Sequence, residues 1–310
     1  MHTHMALYDG MLLLAEIFVL FFQILYYICE SIYKLFAPVE KKSVAGEIVL
    51  VTGAGHGIGK ELAIGYALLG ATVICWDINE EANQQTKNEI KKMGKDSVYA
   101  YRCDVTNREE VFKVAKKVRK EVGDVNILIN NAGIGILKTF LNYNDDEILR
   151  TINGNLIAHY WTLRAFLPSM IEKNHGHVVA VSSLLAIVML MYATVYSSTK
   201  IAVRAFMESL NEELRISSKG KSLIKFTTVF PTVVFNGMLK KPIVKFPSLI
   251  SPLPPKEVAS LIIDAQRENC RERNIPSHLS PLLTILKNLP IKAQECLKDA
   301  FIGTIAEPDD

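Results

Sequence analysis

The chain has 310 residues, 49% of them hydrophobic, with 35 basic and 32 acidic side chains and a net charge of +3. That is enough apolar material for a large α/β core, and the charge is too balanced to mark a nucleic-acid binder. Its five cysteines, Cys29, Cys75, Cys103, Cys270 and Cys296, show no C-x-x-C spacing, which excludes a disulfide framework and points to free thiols in a reducing compartment.

The first element is "MLLLAEIFVLFFQILYYI", Met11 to Ile28, an apolar run broken only by Glu16 and Gln23. As a helix it spans roughly 27 Å, close to the hydrocarbon thickness of a bilayer. No Lys or Arg precedes it and no A-x-A follows, so it reads as a retained membrane anchor rather than a cleaved signal peptide. Lys34, Lys41 and Lys42 come just after it and place the rest of the chain in the cytosol. "APVEKKSVAG" is a short linker, and residues 1–38 form the anchor region.

A βα rhythm then begins. "EIVLV" (47–51) is a buried parallel strand running into "TGAGHGIGK" (52–60) and a helical "ELAIGYALLG". Strand, glycine turn and helix together suit a pyrophosphate resting on a helix N-terminus. "ATVICWD" is a second strand ending at Asp77, where an acid can accept from ribose hydroxyls and repels a 2′-phosphate, so NAD is favoured over NADP. A helix N-cap is the structural alternative for Asp77. "SVYAYRCDV", "VNILINNAG", "HVVAVSS" and "LIKFTTVFP" are further strands, with an amphipathic helix at 107–123 and a long helix carrying "YSSTK" (196–200). His175 and His177 in "NHGH" have no partnering ligand pattern and read as a surface turn, so no metal site is expected. The alternation implies an α/β fold with a doubly wound parallel sheet over residues 39–275. Ligands in such sheets bind beyond the carboxyl ends of the strands, where Thr52–Gly59, Asp77, Asp104, Asn130–Gly133, Ser183 and Pro231 all fall.

With "TGAGHGIG", "NNAG", Ser183 and "YSSTK" in place, the chain from about Lys42 to Phe246 resembles the short-chain dehydrogenase/reductase family, whose sheet is a Rossmann fold. "WDIN", "KEVGDVNILINNAG", "AHYWTLRAFLPSM" and "NHGHVVAVSS" make it similar to the membrane-bound 17-beta-hydroxysteroid dehydrogenases types 11 and 13 and the epidermal retinol dehydrogenases. The resemblance implies oxidation of a steroid, retinoid or related lipid alcohol. It implies a site on the endoplasmic reticulum membrane or a lipid droplet, with the catalytic domain facing the cytosol, and a homodimer. By position it implies Asn155, Ser183, Tyr196 and Lys200 as the catalytic set. It places cofactor contacts on Gly53, Gly55, His56, Gly57, Ile58, Gly59, Asp77, Asp104, Val105, Asn131, Ala132, Gly133, Tyr196, Lys200, Pro231, Val233, Val234 and Asn236.

In that chemistry hydride leaves the carbinol carbon for the nicotinamide and a base takes the hydroxyl proton. A free phenol at about 10 is too weakly ionised to serve near neutrality. Lys200, one helical turn on, is expected to depress the Tyr196 pKa and to reach the nicotinamide ribose. Ser183 holds the substrate oxygen, and Asn155 holds a water linking Lys200 to solvent.

Three features depart from the family. Asn236 stands in "PTVVFNGM" where a threonine usually helps hold the nicotinamide amide. "CRERNIPS" is too polar for a buried last strand and suits an edge. "KKPIVKFPSLISPLPP" is a basic, Pro-rich stretch that reads as a lid touching membrane or as a solvated loop. Residues 276–310 form a C-terminal extension in which "PLLTILKNLP" either dips into the interface or packs on the domain. The rival functions are an NADP-linked carbonyl reductase and a catalytically weak membrane or lipid-droplet interaction protein that keeps the fold.

Overall fold

The computed structural model describes residues 2–36, 39–232, 234 and 252–301. Contacts divide the chain into two units, Met1–Lys41 and Lys42–Asp310. The first unit is one helix, α1 (His2–Phe36), whose stretch Gly10–Glu30 has a mean hydropathy of 2.2 and buries none of it within the protein. Phe18 and Phe21 are more than half exposed and Phe22 is 50% exposed, and the ring of Phe22 meets those of Phe18 and Phe21 edge to face. Such a helix is long and apolar enough to cross a membrane, by length and composition.

In the second unit, seven parallel strands form one sheet among the described residues, in the order β3-β2-β1-β4-β5-β6-β7. They are β1 (Ile48–Thr52), β2 (Thr72–Asp77), β3 (Val98–Arg102), β4 (Ile127–Asn130), β5 (His177–Val181), β6 (Lys225–Pro231) and β7 (Glu272–Ile275). Successive side chains of a strand point to opposite faces. Val49, Val51, Val73, Ile129 and Val179 accordingly enter one core with α2 (Gly57–Leu68) and α8 (Pro255–Arg267). Leu50, Ile74, Trp76, Leu128 and Val178 enter the other, beneath α4 (Arg108–Glu121), α6 (Ala158–Lys173) and α7 (Thr194–Ser217). This is the doubly wound sheet that the rhythm predicts.

The remaining helices follow local signals. Asn79 caps α3 (Glu80–Lys92) by accepting from Ala82 N–H, Asn107 caps α4, and Asn144 closes a capping box with Glu147 on α5 (Asp145–Ile152). Among the described residues the polar last strand pairs with β6 alone, exposed or half-buried from Glu272 to Asn274 with Ile275 buried, as an edge strand. The apolar "PLLTILKNLP" forms α9 (Ser280–Asn288), followed by α10 (Ile291–Phe301). Of its two expected roles the structure shows packing. Leu279, Leu283 and Leu286 bury against Val188, while Ile285 faces outward.

The histidine pair splits. His175 is exposed beside Glu47, as a turn residue should be. His177 is a correction, because it is buried at the start of β5 and not on a surface turn. Lys42 Nζ and Gln266 Nε2 donate to its Nδ1 at 3.0 and 3.2 Å, and its Nε2 donates to Thr227 Oγ1 at 2.8 Å. Burial, with Lys42 and Lys225 nearby, holds its pKa far below the usual value, so it serves as a neutral structural linker.

The sheet reverses its order between β1 and β4, and there Thr52 Oγ1 donates to Ile129 O and accepts from the N–H groups of Asn131 and Ala132, both at 3.0 Å. Thr52→Val keeps the volume and strands two donors, at about 1–3 kcal/mol per unpaired group. Thermal unfolding should shift down by roughly 4–8 °C for a loss of about 2 kcal/mol. A shift under about 1 °C would remove Thr52 as the stitch.

Candidate functional site

The glycine turn after β1 is built for close approach. A Cβ on Gly59 would strike the Gly53 carbonyl, and one on Gly55 would come 2.9 Å from Asp77 Oδ2. Gly57 opens α2, so its free N–H groups face the space that a pyrophosphate would take. His56 is exposed on the rim and Ile58 packs inward on the core. The cradle fits a dinucleotide phosphate.

Asp77, at the end of β2, is 5% exposed. Its Oδ2 accepts from Gly55 N–H at 2.8 Å and its Oδ1 from Asn79 N–H at 2.9 Å. The helix N-cap is Asn79, so Asp77 is not the cap. Each carboxylate oxygen keeps a further lone pair for a ribose hydroxyl. Asp104 lies two residues beyond the end of β3, and its Oδ1 accepts from Thr106 N–H and Oγ1. Val105 is half buried beside it.

Asn131 ties β1 to β4 from its side chain, donating to Thr52 O at 2.9 Å and to Gly53 O at 3.3 Å. Ala132 follows half buried, and Gly133 is exposed. A Cβ on Gly133 would come 3.0 Å from Asn155 Oδ1 and 3.5 Å from Lys200 Nζ, so these three positions share one small space. Pro231 is buried at the end of β6, and Val234 is buried and bridges to Leu253. Val233, Asn236 and most of the Pro-rich stretch lie outside the described residues.

Asn155 sits in a π-helical turn, Asn153–Ile157, between α5 and α6. Such turns recur at functional sites because the wider loop re-aims side chains. Its Oδ1 accepts from Ile134 N–H at 2.7 Å, and its Nδ2 donates to Ile134 O at 2.9 Å and to Thr199 Oγ1 at 3.3 Å. Sequence reasoning missed Thr199, and the one available signal was a hydroxyl directly before the lysine of Y-x-x-x-K. Its own hydroxyl donates to Tyr196 O at 2.7 Å.

Ser183 follows β5, and its hydroxyl is hydrogen-bonded to the Tyr196 phenol. Tyr196 and Lys200 lie one turn apart near the start of α7, with Lys200 Nζ 5.5 Å from the centroid of the Tyr196 ring. The expected depression of the phenol pKa by Lys200 is absent here. Burial pushes Tyr196 up to about 12, opposed by the Ser183 bond. Lys200 lies over the ring rather than at its oxygen, donates to Val181 O at 3.0 Å, and is itself lowered by desolvation to about 8.

The loops leaving β4 and β5 are joined by Lys138 N–H donating to Tyr192 O, and Tyr143 OH donates to Ile136 O at 2.6 Å. They expose Phe140, Leu141, Met189 and Met191, an apolar rim on the strand-end face that carries Ser183.

A family model described as short chain dehydrogenase matches residues 47–243. The 17-beta-hydroxysteroid dehydrogenase 13 of Homo sapiens is 38% identical over 285 residues, 92% of this chain and 93% of that protein. The epidermal retinol dehydrogenase 2 of Mus musculus is 41% identical over 263 residues, 85% of this chain and 84% of its own. Among solved structures, a short chain dehydrogenase/reductase from Burkholderia phymatum in complex with NAD superposes with a TM-score of 0.71 at 20% identity, covering 87% of this chain and 99% of that one. At that identity it supports the fold. An alcohol dehydrogenase from the archaeon Thermococcus sibiricus, complexed with 5-hydroxy-NADP, has a TM-score of 0.64 at 25% identity, covering 74% and 94%.

Between pH 8 and 10.5 buried Lys200 binds fewer protons than it does in the unfolded chain. Folding stability contributed by this group therefore rises with pH across that window. The stability of wild type relative to Lys200→Met should grow from pH 7.5 to 9.5 by about 1.4 kcal/mol per pH unit at most, read by denaturant unfolding. A difference that stays flat with pH would mean that Lys200 is solvated.

Proposed function

The chain belongs to the short-chain dehydrogenase family, a family of nicotinamide-dependent oxidoreductases acting on CH–OH groups, and from that premise we propose that it is a membrane-anchored, NAD-dependent dehydrogenase of lipid-like alcohols. The observation that carries the reading is the convergence of Asn155, Ser183, Tyr196 and Lys200 beside a glycine cradle closed by a buried carboxylate. Relatives named for 17-beta-hydroxysteroids and for retinol favour a steroid or retinoid as substrate, and the exposed apolar rim suits an alcohol that arrives from lipid. The exposed apolar helix Gly10–Glu30, with Lys41 and Lys42 following, supports anchoring on the endoplasmic reticulum or a lipid droplet with the second unit in the cytosol.

In this reading the Ser183 hydroxyl orients the carbinol oxygen and Tyr196 takes its proton. Asp77 receives the adenosine ribose, and the α2 N-terminus receives the pyrophosphate. Bound NAD supplies the hydride acceptor and a positive ring charge that favours phenolate. Lys200, on Val181 O in this structure, has two further N–H donors for a ribose hydroxyl.

Tyr196→Phe removes the proton acceptor alone. Turnover of estradiol, retinol or hexadecanol should fall at least about a hundredfold while NAD still binds by calorimetry. Retention of more than about a tenth of the wild-type kcat would show that another group is the base.

Asp77→Ala removes a charge-assisted acceptor worth about 1.5–3 kcal/mol. The preference for NAD over NADP, measured as a ratio of kcat/KM, should fall about tenfold to a hundredfold. A wild type that already prefers NADP contradicts the cofactor assignment.

Deleting residues 1–38 should move the protein from membrane fractions to the soluble fraction with NAD binding intact. Full-length protein found soluble would remove the anchor.

A further inference from the structure

Leu279, Leu283 and Leu286 meet Val188 in a third buried cluster, apart from the two cores of the sheet. Leu184 and Ile187 pack on it half-buried. The three leucines recur at intervals of four and three, so they share one face of α9 and the turn before it. The start of α9 is tied to the edge strand, where Asn274 Nδ2 donates to Ser280 Oγ at 2.9 Å. That strand is tied in turn to β6. The C-terminal helix is therefore held by the sheet at one end and packs its leucines on the loop that follows β5.

The other side of this cluster is the turn at Ser183. Leu184–Ala186 is a single 3-10 turn with Ser183 as its cap. Ser183 Oγ accepts from Leu185 N–H at 3.2 Å, and Ser183 O accepts from Ala186 N–H at 2.9 Å. The N–H groups of Ile187 and Val188 both return to Leu184 O, at 2.8 and 3.0 Å. Leu184, Ile187 and Val188 thus form the body of the turn, and the Ser183 hydroxyl is its cap. The same hydroxyl is bonded to the Tyr196 phenol. So short a turn has too few internal hydrogen bonds to hold itself, and its place is set by what packs on it.

We propose that Leu283 of α9 is a positioning residue for Ser183. Through Val188 and its neighbours it holds the turn that the Ser183 hydroxyl caps, and so fixes where that hydroxyl meets the alcohol oxygen. The inference rests on the reading of Ser183 as the group that orients the alcohol. It gives the C-terminal extension a part in the reaction without any contact with the cofactor. The polar edge strand gains a purpose as well, because Asn274 fastens the helix that supports the serine.

The test compares Leu283→Ala, Leu283→Met, Val118→Ala and Ser183→Ala in the full-length protein. Val118 is wholly buried in the second core and supplies a control for lost packing. The alcohol is whichever of estradiol, retinol and hexadecanol the wild type oxidises fastest with NAD. Leu283→Ala should lower kcat about tenfold, because a misplaced orienting group costs rate, and leave KM for the alcohol and for NAD within about threefold. Hydrogen exchange over residues 184–188 should quicken about tenfold as the turn loses its support. Leu283→Met, which keeps the volume, should restore both. Val118→Ala should lower the melting temperature while kcat and exchange at 184–188 stay within about twofold of wild type. Leu286→Val, a smaller loss in the same cluster, should show about a threefold fall in kcat, and it decides the matter should Leu283→Ala fail to fold. A Leu283→Ala enzyme with wild-type kcat and exchange, an equal loss in Val118→Ala, or no recovery in Leu283→Met would each overturn the inference. A Ser183→Ala enzyme at full rate would instead overturn the reading beneath it.

Discussion

The site depends on the stitch where β1 and β4 leave the sheet. Neighbouring strands there run into turns that depart in opposite directions, which opens a cleft at the carboxyl edge. Left alone, the two turns would expose backbone donors and acceptors to each other across the gap. Thr52 and Asn131 close it with side-chain bonds to backbone, so the glycine cradle on one side and the Gly133 turn on the other stand at a fixed separation. Gly133 in turn touches the space of Asn155 and Lys200. The glycine turn and the space shared by Asn155 and Lys200 are thus connected through one hydrogen-bonded junction.

Burial is the second constraint, and it works against ionisation. Lys200 is buried and Tyr196 half-buried, and desolvation drives each towards its neutral form, the phenol upward and the amine downward. The pair is therefore arranged so that a positive charge entering the cleft has a large effect. In a low-dielectric site an added cation acts on the phenol far more strongly than it would in water. A solvated lysine would have weakened that dependence.

Much of this was legible in the chain. Strand, glycine turn and helix at Ile48–Leu68 follow from β-branched apolar residues running into glycines, and alternation along β1 sends Val49 and Leu50 to opposite cores. The polar "RERN" correctly marked an edge, since a strand with one partner tolerates charge. Other features were hidden because they depend on distant partners. His177 reads as a turn residue until Lys42, Gln266 and Thr227, from three other segments, are folded around it. Helical spacing placed Lys200 beside Tyr196, but not the rotamer that sends its ammonium to Val181 O. Thr199 carries no motif, and its significance comes from the Asn155 amide that donates to it.

The most direct measurement supplies the purified full-length protein with estradiol, retinol and hexadecanol in detergent or lipid vesicles, with NAD and NADP in parallel, and follows the reduced nicotinamide by fluorescence. Reduction of NAD by at least one of these alcohols, faster than reduction of NADP, is the expected result. No reduction of either cofactor by any of the three, or reduction of NADP in preference to NAD, would contradict an NAD-dependent dehydrogenase of lipid-like alcohols.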